Sequence, residues 1–116
     1  MGDGEAVLAA MAVDYWKLLR AFERAVGEVP EARAARFQAQ ARFAASRLAT
    51  HLDAGGLHLG TYEGQAITPA IPVVALNADD LADEVRVVVE STVEPAVIAG
   101  NRVLALGRVI ASAGDA

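Results

Sequence analysis

Asp79, Asp80, Asp83 and Glu84 are the one group in this chain whose types and spacing could suggest metal binding or acid-base work. A calcium loop would place a Gly at its turn and oxygen ligands at alternate positions, and the stretch has neither, nor a nearby His. Capping explains it better. Asn77-Ala78-Asp79-Asp80-Leu81 opens like a helix, with Asn77 as N-cap and two acids in the first turn, where the dipole favours anions. His51 and His58 lie on either side of the Gly55-Gly56 pair, which is not a metal spacing on a helix. Gly60, Gly64 and Gly100 fit no phosphate-binding pattern. Trp16 has packing as its default role and a partner-facing anchor as the alternative. The inventory predicts no catalytic residue, no cofactor site and no metal site, so the chain reads as a protein that acts by presenting surfaces and not as an enzyme.

The elements behind those surfaces fall into two kinds. Val7 to Val26 reads as a helix, since Leu8, Met11, Tyr15, Leu18 and Phe22 recur at steps of three and four, with Ala12, Leu19 and Val26 alongside. Gly27 and Pro30 mark its end. Glu31 to Asp53 reads as a second helix without Gly or Pro, with Phe37, Ala41, Ala44, Leu48 and Leu52 on one face. Ala32, Ala39 and Phe43 fall nearly opposite, and two apolar strips on one helix imply two packing partners. The first helix covers one; a symmetry-related chain would cover the other, making a four-helix bundle from two hairpins. The alternative is that alanine is there as a helix former and only Phe43 is partly exposed.

Beyond Gly55-Gly56 the composition changes. Leu57-His58-Leu59 reads as a short extended piece, and Gly64 to Val74, with Pro69 and Pro72, as a loop or sheet edge. Val85 to Ser112 is the β-rich stretch: valines alternate with other residues, Glu94-Pro95 and Ala99-Gly100-Asn101 interrupt, and Gly-Asn supplies the positive φ of a tight connection. Ala113 to Ala116 reads as a frayed tail. The expected class is therefore α+β: a helical hairpin over residues 1–56, the dimerisation region, then a small β-rich domain over residues 57–116.

The charge follows the same division. Up to Asp53, seven bases (Lys17, Arg20, Arg24, Arg33, Arg36, Arg42, Arg47) balance seven acids (Asp3, Glu5, Asp14, Glu23, Glu28, Glu31, Asp53). The whole net charge of −5 arises afterwards, where eight acids (Glu63, Asp79, Asp80, Asp83, Glu84, Glu90, Glu94, Asp115) face Arg86, Arg102 and Arg108. An acidic β-half repels phosphate backbones, so nucleic acid is not an expected partner. Nor is a membrane, because no segment approaches the roughly 20 apolar residues of a span. The absence of cysteine and of a basic N-terminal start fits a cytoplasmic protein.

Three motifs in order resemble the GrpE family, the nucleotide exchange factors of DnaK-type chaperones. Leu18-Leu19-Arg20-Ala21-Phe22-Glu23-Arg24-Ala25 is similar to that family's leucine-rich helix. Leu52-Asp53-Ala54-Gly55-Gly56-Leu57 followed by Gly64-Gln65-Ala66-Ile67-Thr68-Pro69 resembles its L-x-x-x-G-V and G-E-x-F-D-P. Glu94-Pro95-Ala96-Val97, with Gly100-Asn101-Arg102-Val103-Leu104-Ala105-Leu106-Gly107-Arg108-Val109, is similar to its D-R-V-L-R-P-A region and final Val. The match runs over roughly residues 15–112. It departs at Pro72, Val73 and Val74, where the family has x-x-H-E-A after the proline; at Ala96-Val97, in place of Gly-Tyr; and at Ala105 and Leu106, in place of Arg and Pro.

The resemblance implies a divergent member without the family's long N-terminal helix. It also implies a homodimer through the helices and a protein partner, a DnaK-type chaperone whose nucleotide exchange it would promote. The expected dimerisation residues are Leu8, Met11, Tyr15, Leu18, Phe22, Phe37 and Phe43; the expected partner-binding edge is Asn101, Arg102, Val103 and Leu104. The alternative is a small assembly protein that keeps the dimerisation fold without exchange activity, and the departures at Pro72, Ala105 and Leu106 favour it.

Overall fold

Helix α1 spans Gly2–Val26, five residues earlier than the apolar periodicity suggested. The computed structural model describes residues 2–114; of the expected frayed tail, Ala113 instead ends a strand, and residues 115–116 lie outside the described residues. Gly27 does not end α1 in a left-handed cap. The chain leaves through tight turns, Glu28 N–H to Ala25 C=O (3.1 Å) and Val29 N–H to Val26 C=O (3.0 Å). Pro30, with φ −52° and ψ 140°, then opens α2, Glu31–Ala54. Its ring cannot extend a helix backwards, but its carbonyl accepts from Arg33 and Ala34 and so starts the new one.

The end of α2 is a Schellman cap. Gly56 takes φ +74°, the Leu57 N–H reaches the Leu52 carbonyl at 2.8 Å, and the Gly56 N–H reaches Asp53 at 3.0 Å. Only glycine occupies that backbone region without strain, so the second glycine of the pair is the one that stops the helix. Contacts divide the chain into two compact units, Met1–His58 and Leu59–Ala116.

The hairpin closes on small residues. Ala9, Ala12 and Val26 of α1 and Ala34, Ala41 and Leu52 of α2 are buried, which lets the two backbones come close. Phe22 meets Phe37 edge to face, centroids 6.2 Å apart and planes at 75°, and the Tyr15 hydroxyl donates to the Ala44 carbonyl at 3.1 Å.

The β-unit holds two three-stranded sheets. Strands β1 (His58–Gly60), β4 (Ala96–Ala99) and β5 (Arg102–Ala105) form one, with β4 in the middle. Strands β2 (Val73–Ala75), β3 (Val87–Glu94) and β6 (Gly107–Ala113) form the other, with β6 in the middle, parallel to β2 and antiparallel to β3. Val89, Val97 and Val109, with Pro95, are the largest fully buried side chains among the described residues, and Ala96, Ala99 and Ala111 are buried with them. Gly107 sits in a close approach: a Cβ there would stand 3.2 Å from the Ala96 nitrogen and 3.3 Å from Val73 Cγ1. Gly100, at φ +62°, turns β4 into β5 through a two-residue connection, as Gly-Asn suggested.

Two expectations for this unit need correcting. The alternation read from Val85 does not begin there: Val85 lies before β3 and is fully exposed. Register shifts at Glu90 and Val93 then break the period of two inside β3. Asn77 does precede a short 3₁₀ turn, Ala78–Leu81, but its side chain caps nothing. Its carboxamide reaches 34 residues along the chain, donating to the Ala111 carbonyl and accepting from the Ala111 N–H, both at 2.9 Å. The amide thus acts as one more rung of ladder beyond β2.

Candidate interaction surfaces

Each helix repeats its apolar residues every seven positions, and α1 does so twice. Ala12, Leu19 and Val26, with Ala9 and Trp16, make one seam. Met11 and Leu18, with Leu8, Tyr15 and Phe22, make a second, offset by one residue and hence by about 100° around the axis. The first seam is closed by α2. The second meets α2 through Leu8, Tyr15 and Phe22 and is open at Met11, 64% exposed, and Leu18, 72%, with Val7 beside them at 58%.

The seven expected dimerisation residues therefore divide by position. Leu8, Phe22 and Phe37 are half-buried within the hairpin. Leu8 packs so closely on the end of α2 that a Cβ at Gly55 would lie 2.9 Å from its Cδ2. Met11, Leu18 and Phe43 are exposed, and Tyr15 spans both settings through its hydroxyl. Of the two strips expected on α2, the one through Phe37, Ala41 and Leu52 is covered, while the strip of Ala32, Ala39 and Phe43 is exposed. The richer uncovered strip belongs to α1, which a search for apolar spacing on α2 missed. The one-residue offset between the two heptad sets was the available signal.

The two broad faces of the hairpin differ. One carries an open groove of about 480 Å³ bounded by Tyr15, Leu18, Phe22, Gln40 and Ala44. The other carries a hollow of about 380 Å³ rimmed by Glu23, Gln38 and Arg42. Trp16 faces neither groove; it is half-buried and Arg20 lies 4.6 Å above its ring, a cation–π pair within one helix.

In the β-unit, Asn101 and Val103 line a shallow depression of about 830 Å³ together with Tyr62, the loop from Ile67 to Pro72, Ile98 and Leu106. Val103 is 49% exposed and Leu106 54%. Strand β5 is a sheet edge, but its register to β4 shifts around Leu104, so only Arg102 and Val103 continue a regular ladder from the turn. Leu104 is half-buried and does not line the depression. Arg102 is exposed and already engaged by another group of the chain. Of the places where the sequence departs from the GrpE pattern, Pro72, Val73 and Leu106 lie on this same depression.

Asp79, Asp80, Asp83 and Glu84 are all exposed, as are His51 and His58. Among the described residues no three His, Cys, Asp or Glu side chains come together as a metal site, and no helix is long and apolar enough to cross a membrane. The chain matches no protein-family model, no curated protein and no solved structure with which it was compared.

Proposed function

We propose that the protein is a GrpE-like interaction module, a homodimer joined through its hairpins whose β-unit docks on a DnaK-type chaperone and promotes nucleotide exchange. The observation that carries the pairing is the open part of the second seam of α1, because leaving Met11 and Leu18 in water forgoes about 1.5–3 kcal/mol for each such side chain that a partner could bury. The chaperone assignment is supported by the three ordered motifs and by the sequence of parts, hairpin then small β-unit. An exchange factor needs no catalytic residue; it needs only higher affinity for the opened, nucleotide-free state than for the closed one. The setting we propose is the cytoplasm, in keeping with a chain that has no cysteine. The test is release of labelled ADP from a DnaK with this protein added: acceleration that saturates with concentration supports exchange.

A second reading is favoured by one observation. Pro72 and Ala105 put apolar residues where the family pattern has His and Arg, and Pro72 lies on the β-unit depression. On that reading the protein is an assembly module that keeps the dimer and has lost exchange. No change in ADP release at saturating protein, with the dimer intact, selects it.

A further inference from the structure

The groove face of the hairpin is apolar along α1 and cationic along α2. Taking 100° per residue, Arg33, Arg36, Arg47 and His51 fall within about 60° of one another, with Gln40 among them and Phe43 at the edge. All six are exposed. No acid stands three or four residues from any of the three arginines, and Glu31 and Asp53, the only acids of α2, project from the far side. Within one chain such a stripe is mildly unfavourable, since like charges on neighbouring turns repel. On α1 the flank of the open seam that faces away from α2 carries Asp14, one turn from both Met11 and Leu18.

With their helices aligned, two hairpins can stack face to face about a two-fold axis in two ways. With the axis across the helices, α1 lies on α1 and α2 on α2, antiparallel. Centred on the helix, that sets Arg36 close to Arg47 of the partner copy at both ends of the contact, bringing arginine against arginine. With the axis along the helices, each α1 lies on the partner copy's α2. Tyr15 bonds Ala44 and Phe22 meets Phe37, so facing positions of α1 and α2 sum to 59 and Asp14 is level with position 45. The symmetry preserves that level, bringing Asp14 of the partner copy about two residues, or roughly 3 Å along the axis, from Arg47 and to the same outer rim. The arginine stems then lie against Met11 and Leu18 while their heads stay wet.

Resting on the homodimer reading, we propose that the cationic flank of α2 orients the pair: α1 of each copy seats on α2 of the other, Arg47 meets Asp14 across the two-fold, and both hairpin turns lie at the same end. The chain has no cysteine, so a single spin label at Glu28→Cys reports the arrangement directly. The inference expects a label separation under about 30 Å; the crossed arrangement puts the turns a helix length apart, about 36 Å or more. Arg47→Glu and Asp14→Arg should each weaken self-association about tenfold with unchanged helix content, and the two variants mixed should pair with each other and regain wild-type affinity. Light scattering that finds wild-type monomer would sink the homodimer reading itself. A wild-type dimer with distant labels, or with no recovery on mixing, would overturn the orientation alone.

Discussion

The hairpin and the β-unit build their buried centres from different side chains, although each also exposes large apolar residues, Val85, Val103 and Leu106 among them in the β-unit. In the β-unit Val89 and Val109 are 1% exposed and Val97 is 0%, and a side-chain amide closes the sheet where β2 runs out. In the hairpin the buried positions are mostly alanine, while Met11, Leu18 and Phe43 stand outside. Alanine contacts bury little area, so the hairpin's intramolecular seam supplies close approach more than hydrophobic energy. The β-unit therefore closes on larger buried side chains than the hairpin does, and the hairpin's open strip at Met11 and Leu18 is apolar surface that a partner would cover.

The largest effect that would break this contrast is expected from Leu18→Glu combined with Met11→Glu. Two carboxylates on the open seam should raise the dimer dissociation constant more than a hundredfold by light scattering, several kcal/mol, while β-unit melting stays put. Loss of helix on dilution of the wild type would point the same way. Val97→Ala should do the reverse, costing about 2–3 kcal/mol in denaturant unfolding with association unchanged, because it leaves a cavity in a region that has no looser packing to collapse into.

Asn77→Ala sharpens the comparison at a smaller scale. It strips partners from the N–H and C=O of Ala111 and should cost about 1–3 kcal/mol, whereas Asn77→Asp keeps the acceptor and loses the donor and should fall between. An effect as small as a few tenths would show that the amide is an ornament on a sheet already complete. Phe43→Glu should weaken association by about 1–2 kcal/mol, less than the seam variants because Phe43 sits at the edge of the groove face. Arg42→Ala, on the opposite face, should change it by less than about 0.5.

The smallest expected change concerns the β5 edge. Arg102→Ala should leave the melting temperature within a degree or two and lower chaperone binding if the edge docks. A small stability loss with binding intact would assign Arg102 to a local contact of its own surface. Binding that survives both Arg102→Ala and Asn101→Ala would move the interface away from this turn.

Much of this architecture was legible in the residues themselves because it is set by short-range chemistry. Helix periodicity, the Pro30 restart, the Gly55-Gly56 stop and the Gly100 turn each depend on neighbours within a few positions, and α2 ends one residue from the expected place. The acidic β-half was equally readable, being a matter of composition. Tertiary structure decided what depends on distance along the chain. Asn77 looked like a cap because a cap is what four adjacent residues can supply, yet its amide found the backbone of Ala111. The heptad residues of α1 looked like one broad stripe; only the closing of α2 over Ala9, Ala12 and Val26, and partly over Leu8 and Phe22, left Met11 and Leu18 as its open margin. The β3 bulges and the meeting of Pro72 and Leu106 in one depression were likewise invisible beforehand, since each is fixed by which strand lies beside which.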